Sequence, residues 1–206
     1  MKKNLFFTIV LLAVIQTAIF ASDLFPSTSS ASNYSHQVIG NVFYIGTMNS
    51  DISASSIGVG ASYHNKLSDN IGIYANGGVG KPLSFKFSGY SNLTDSVVVF
   101  LQSGPYYKID LPYENMSVKV GCGLDLGMYG GKLSGSGQEV VAVSLGIGAL
   151  GSYEYQIADM LTLVGSLNFG VDFATWKTNT SNDEFERADI GAIITIMPSI
   201  GVSYSY

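Results

Sequence analysis

Two histidines, one cysteine and a glycine triplet are the residues here whose types could do chemistry. Gly146-x-Gly148-x-x-Gly151 follows an apolar run with Asp172 downstream, the outline of a dinucleotide-binding fingerprint. That fingerprint needs a helix opening at the glycines, so that amide N–H groups face a pyrophosphate. Here Ser152-Tyr153-Glu154-Tyr155 continues an apolar/polar alternation instead, and the Gly-x-Gly rhythm returns at Gly58-Gly60 and Gly121-Gly123. The glycines read as small inward-facing residues, and no cofactor is expected. His36 and His64 lack the further ligands a metal needs, and Cys122 stands alone, so neither a metal site nor an intrachain disulfide is expected. A Ser-His-acid hydrolase is the sharpest catalytic possibility. The alternation places His64 inward, beside a short turn, where a solvated polar histidine fits better.

The remaining candidates are charges and a loop. Lys108, Lys119 and Glu154 fall on inward rows at the turn ends of three consecutive segments, with Asp125 and Asp172 nearer the opposite ends. Buried charges require partners, so these five read as an internal salt-bridge network. The competing reading is a selectivity lining for a solute path. Lys81 to Asp95 reads as a loop mixing basic and aromatic residues, with Phe85, Lys86, Phe87 and Tyr90 as a candidate contact surface. Lys177 to Arg187 is polar and acidic by contrast.

All of these sit on segments of period two. From Ile190 to Tyr206 every second residue (Ile194, Ile196, Pro198, Ile200, Val202, Tyr204, Tyr206) is apolar, while the intervening set is mostly Gly, Ser and Thr. Strand side chains alternate between faces, so one face of this segment is apolar and wants lipid or a core. A transmembrane helix is the rival reading, against which stand Pro198 and the crowding of β-branched residues. The same apolar-out, small-polar-in pattern recurs from Ile57 to Tyr63, Ile71 to Val79, Val97 to Ile109, Val118 to Met128, Val141 to Tyr153 and Leu161 to Phe173. Gln37 to Gly46 adds a strand whose register is open, with Val42-Tyr44 and Phe43-Ile45 competing for the outside. Eight strands result. Short connections (65 to 70, 110 to 116, 156 to 160) alternate with longer ones (47 to 55, 81 to 95, 129 to 139, 175 to 188). Tyr63, Tyr107, Tyr153, Tyr204 and Tyr206 lie at the short-turn end of outward rows and draw one aromatic girdle; Phe173, with Phe43 or Phe85, is the candidate for a second.

Composition agrees. Charged residues are 12% of the chain, about half the usual share, and Gly is 24 of 206. Met1-Lys2-Lys3, the apolar run Leu5 to Ile15 and Ile19-Phe20-Ala21 make residues 1–21 an expected cleaved signal peptide, followed by a Ser-rich leader at 22–36 and the barrel at 37–206. Without Lys2 and Lys3, 8 basic residues face 15 acidic ones, a balance that argues against nucleic acid as a partner.

The closing pattern Ser199-x-Gly201-Val202-x-Tyr204-x-Tyr206 resembles the C-terminal β-signal of bacterial outer-membrane barrels. With the eight strands and alternating connections, the chain resembles the small eight-stranded outer-membrane proteins, a class that includes the OmpX/Ail and opacity-type surface proteins and the transmembrane part of OmpA. Pro105 and Pro198, which fall inside strands, depart from that pattern and invite bulges. The resemblance implies an all-β, closed antiparallel barrel in the outer membrane, with Gly201, Val202, Tyr204 and Tyr206 read by the barrel-assembly machinery. It also implies contact with outer-membrane lipid, periplasmic termini and extracellular loops. Three roles follow as expectations: a structural or adhesive barrel meeting a host or surface ligand through its loops, a narrow channel for small solutes, or a lipid-modifying enzyme.

Overall fold

In the computed structural model, the alternating segments pair into one antiparallel sheet that closes on itself. Residues 35–49, 51–87, 93–113, 115–133, 139–178, 185–188 and 191–206 are described; the expected signal peptide, nearly all of the leader, and Tyr90 lie outside them. The strands are β1 (His36–Met48), β2 (Ile52–Lys66), β3 (Ile71–Phe87), β4 (Leu93–Asp110), β5 (Met116–Leu133), β6 (Glu139–Ala158), β7 (Leu161–Thr178), β8 (Phe185–Ala188) and β9 (Ile193–Ser205). Each pairs with its sequence neighbour around the ring up to β7, and β9 joins β7 to β1 and closes it.

The eighth wall position is shared. β8 pairs with Thr175–Thr178 of β7 and β9 with Leu161–Asp172, so the two form one interrupted strand. The sequence pattern places 175 to 188 in a loop and begins the last strand at Ile190. Instead the wall climbs through Trp176 and Lys177 and is resumed by Glu186 and Arg187. Asn49 steadies the break by donating its side-chain amide to the carbonyls of Gly191 and Ala192 at 2.7 and 2.8 Å.

The expected facing holds through the middle of the barrel. Ile57, Val59, Leu124, Ile147, Leu167 and Ile200 point out and are exposed, whereas Ser56, His64, Asn76, Gln102, Asp125, Ser144 and Ser203 point in and are buried. Ile193–Ser205 is a strand, which disposes of the helical reading. Strand β1 resolves in favour of Val42 and Tyr44 outside, with Ile39, Phe43 and Ile45 buried inside. Pro105 and Pro198 are outward and neither makes a bulge. Pairing skips Tyr44 and Ile45 opposite Pro198 and Met197, then resumes in the same register, as it does beside Pro105. The missing N–H costs local ladder bonds without shifting the strand. Next to Pro105, a Cβ on Gly104 would meet the Cys122 carbonyl and one on Gly123 the Ser103 carbonyl, so β4 and β5 approach too closely there for any larger residue.

True bulges occur elsewhere. Ser56 pairs with Pro82 but Ser55 with Ser84, leaving Leu83 extra in β3. Because side chains alternate, one extra residue moves everything beyond it to the opposite face. Phe85 therefore pairs with the inward Ala54 and turns into the lumen. A second bulge, at Asp95 and Ser96, puts Asp95 in the left-handed region at φ 51°.

Strands β3 to β7 have 17 to 20 residues, against 13 to 15 for β1, β2 and β9. A strand tilted at about 45° needs only about 9–11 residues to cross a hydrocarbon layer. Most of the supposed loop sequence is thus wall that continues past the apolar outward band. Above Gly80 and Val98, β3 and β4 no longer pair with one another; β3 continues with β2, and β4 with β5.

Candidate functional site

The barrel interior has three levels. At the turn end lies an open polar vestibule of about 710 Å³, whose lining includes Gln37, His64, Lys66, Lys108, Lys119 and Glu154. Lys119 on β5 and Glu154 on β6 form a buried ion pair at 2.8 Å. They are diagonal neighbours, since Lys119 sits opposite Ser152. Lys119 also donates to the Gln37 side-chain carbonyl, stands 3.1 Å from His64 Nδ1, and lies 5.1 Å from the centre of the Tyr106 ring. Ser117 donates to the second Glu154 oxygen at 3.4 Å. A buried charge pair needs such supplementary bonds, because removal from water is offset only when the remaining donors and acceptors are satisfied.

Above the vestibule come neutral amides and two acids. Asn76 donates to Asn168 across the lumen at 3.2 Å. Asp125 and Asp172 sit beside this layer, and Ser144 donates to Asp172. The loop half is filled by an apolar cluster of inward side chains: Phe43, Ile45, Ile52, Val98, Phe100, Tyr129, Val140, Ala142, Ile193 and Met197, with Phe85 packed against it. Phe43 meets Phe100 edge-on, with centroids 4.9 Å apart. The gap left between the acids and this cork is about 20 Å³, room for roughly one water molecule.

Of the five charges expected to form one network, only Lys119 and Glu154 pair with each other. Lys108 reaches the rim and bonds Asp110 at 2.7 Å. Asp125 lies six residues beyond Lys119 on the same strand, roughly 20 Å at about 3.3 Å per residue, so the acids belong to a separate tier. No cation pairs with them among the described residues. Gln37 and Ser117 were missed as partners; the inward parity of their strands was the available signal.

The loop candidate also changes character. Phe85, Lys86 and Phe87 belong to β3, and Phe85 turns inward onto the cork, so neither it nor Phe43 joins a second girdle. Phe173 remains outward. At the turn end Tyr107, Tyr153, Tyr204 and Tyr206 are exposed, while Tyr63 is partly covered and its hydroxyl lies 2.6 Å from His36 Nδ1. Among the described residues neither histidine meets a serine or a carboxylate, so the Ser-His-acid arrangement is not assembled.

The C-terminal motif forms the closing seam. His36 and Tyr206 exchange backbone hydrogen bonds at 3.2 and 2.9 Å, their rings stack, and Val202 and Tyr204 face outward. A Cβ on Gly201 would run into the Gly40 carbonyl, which explains a glycine where β9 meets β1.

No family model matches the sequence, and no curated protein matches it. Solved structures do. Neisserial surface protein A superposes with a TM-score of 0.63 at 14% identity, covering 83% of this chain and 97% of that one. The outer membrane protein OprG from Pseudomonas aeruginosa gives 0.60 at 11%, covering 85% and 97%. The outer membrane protein AlkL, solved in DMPC lipid bilayers, gives 0.58 at 17%, covering 88% and 95%. At such identities the likeness is one of fold, and the fold is the closed eight-stranded antiparallel barrel of small outer-membrane proteins.

Proposed function

We propose that this chain is an outer-membrane surface protein whose role is structural or adhesive, exercised at the loop end of the barrel. The outward apolar rows, ended at the turn side by exposed tyrosines, suit a lipid setting, where an aqueous surface of this kind would aggregate. The single observation that carries the role is the cork. Apolar side chains fill the loop half of the lumen, and an eight-stranded barrel has little interior to spare. Such a barrel offers partners its outer rim rather than a path. Lys81 and Lys86, exposed on the tall β3 wall, and the strand ends of β4 to β8 make up that rim. In this reading the turns and termini face the periplasm, and the assembly machinery recognises β9.

The vestibule favours a second reading, a narrow channel, because it is wide and polar. It ends, however, at the acid tier and the cork. Planar-bilayer recording separates the two: absence of steady conductance steps from the purified barrel is expected. Stepwise, solute-selective conductance would sink the surface reading. Binding of intact cells to a partner surface, with and without a Gly/Ser replacement of 88–92, then tests adhesion directly.

A further inference from the structure

The two inward acids above the vestibule, Asp125 and Asp172, are 8% and 1% exposed. The ion pairs of the described residues are Lys66–Asp69, Lys108–Asp110, Lys119–Glu154 and Lys132–Asp95, so none serves either acid. Two carboxylates taken out of water with no counter-charge are costly to hold. The register nevertheless brings them together. Gln102 pairs with Asp125, Asp125 with Gly146 and Gly146 with Asp172, so all four lie on one row around the wall. A glycine separates the acids, and their side chains use the space it leaves. A Cβ on Gly146 would lie 2.6 Å from Asp172 Oδ1, and one on Gly170 would collide with Asp125 Oδ2.

The surroundings point to what is missing. Asp172 Oδ1 and the Oε1 of Gln102, itself 3% exposed, are buried without any hydrogen-bond partner. Both residues line the gap of about 20 Å³, as do Asp125, Asn168 and Thr195. That volume suits one dehydrated ion or one water. A proton shared by the two carboxyls would supply one donor and leave further acceptors orphaned. A cation satisfies them together.

We propose that Asp125 and Asp172, with Oε1 of Gln102, hold one calcium-class cation inside the barrel. All the candidate ligands are oxygens, which selects a hard cation over zinc or copper. Magnesium keeps several of its waters, for which this gap has no room, whereas calcium accepts carboxylate and amide oxygens in irregular sets. The described residues hold no group of three His, Cys, Asp or Glu side chains placed for a metal, so neutral oxygens complete the set. The ion ties β5 to β7 across the interior, just beneath the cork. This site is independent of the surface role proposed above.

The test uses the full chain folded in a lipid-free zwitterionic detergent, stripped with chelator and titrated with calcium chloride. One saturable site is expected by equilibrium dialysis, with a dose-dependent rise in the temperature at which the barrel unfolds, and weaker effects from magnesium. The isosteric double variant Asp125→Asn/Asp172→Asn should lose both responses. If that variant does not fold, Gln102→Met decides, and at least about tenfold weaker binding is expected of it. Three results overturn the proposal: no saturable binding by the wild type, calcium binding that survives in the double variant, or unchanged affinity in Gln102→Met. An unfolding temperature that follows pH and ignores calcium would assign the acids to a shared proton instead.

Discussion

The Phe85 ring on β3 lies stacked against the Tyr129 ring on β5, with centroids 6.4 Å apart and planes inclined by 14°. The contact bridges strands that are not neighbours, and it exists because the extra residue Leu83 turns Phe85 inward. Phe85→Ala should therefore destabilise the barrel, by about 1–3 kcal/mol for a half-buried aromatic in a packed cluster. Urea unfolding in detergent, followed by the gel shift between unboiled and boiled protein, measures it. A stability equal to wild type would return Phe85 to the solvent.

The same wall predicts a protection pattern. Lys81 pairs with Ile57 and Lys86 with Ser53, so the backbone at both sites is tied into the sheet although the side chains are exposed. Proteases require an extended, unpaired backbone. Lys81 precedes Pro82, a bond that trypsin leaves intact in any state, so Lys86 carries the test: trypsin acting on the folded barrel should spare it while the gel shift persists, and cleavage there before unfolding would mean that the upper wall opens.

What the sequence made legible follows from one rule, apolar out and polar in, applied where it holds. Ile200, Val202 and Tyr204 obey it, and so do Ile57 and Val59, which is why strand count, facing and closing strand could be read. The rule fails where the lumen is itself apolar. Phe43 and Ile45 compete with Val42 and Tyr44 on hydrophobicity alone, and only the packing against Phe100 and Met197 decides. It fails again past the lipid-height band, where outward Lys81 and Lys132 look like loop residues though their backbones are strand. A bulge such as that at Leu83 leaves no clear trace in the alternation, and with it the side on which Phe85 would be found was lost. As for the charges, parity showed that all five were inward, but not that six residues of strand separate Lys119 from Asp125.

The Lys119–Glu154 pair should behave as a coupled unit. Lys119→Met alone leaves Glu154 buried beside Ser117 with no cation, and Glu154→Gln alone leaves an ammonium facing His64. Each should cost about 3–5 kcal/mol. The double change Lys119→Met/Glu154→Gln should cost clearly less than the sum, because neither orphaned charge remains. A double-mutant cycle in urea checks this, and additivity within about 0.5 kcal/mol would remove the coupling.

Tyr206→Asp addresses the seam. Tyr206 stacks on His36, which in turn meets the Tyr63 hydroxyl, so the ends of β1, β2 and β9 are held in one aromatic group. A carboxylate there would replace an outward ring at the lipid boundary. Less folded barrel in the membrane fraction is expected, with most of the loss in the rate of folding, since closing β9 on β1 is the least local step of the topology. Wild-type amounts and rates in cells would count against a role for the motif in assembly.

Phe43 and Phe100 offer the sharpest test of the cork. Their edge-to-face contact lies in the loop half of the lumen, with Gly78 and Gly58 leaving room for the rings; a Cβ on Gly78 would come within 2.6 Å of both. Replacing both by Ala removes the two facing phenylalanine rings between the loop-end rim and the acid tier. Each truncation in a packed core costs about 3–5 kcal/mol, so folding must first be confirmed by the unboiled gel shift. In a variant that passes, the gap beneath the cork should join the loop-end mouth, with Asp125 and Asp172 as the charged level of the path. Conductance should then appear where the wild type shows none. With chelator present to strip the ion proposed above, it should favour cations, because two carboxylates then line the constriction and Lys119 is neutralised by Glu154. Asp125→Asn/Asp172→Asn in the same background should weaken that preference. A folded double-alanine barrel that stays electrically silent would show that the lower tiers seal the lumen by themselves, and the cork would lose its claim to decide between surface protein and channel.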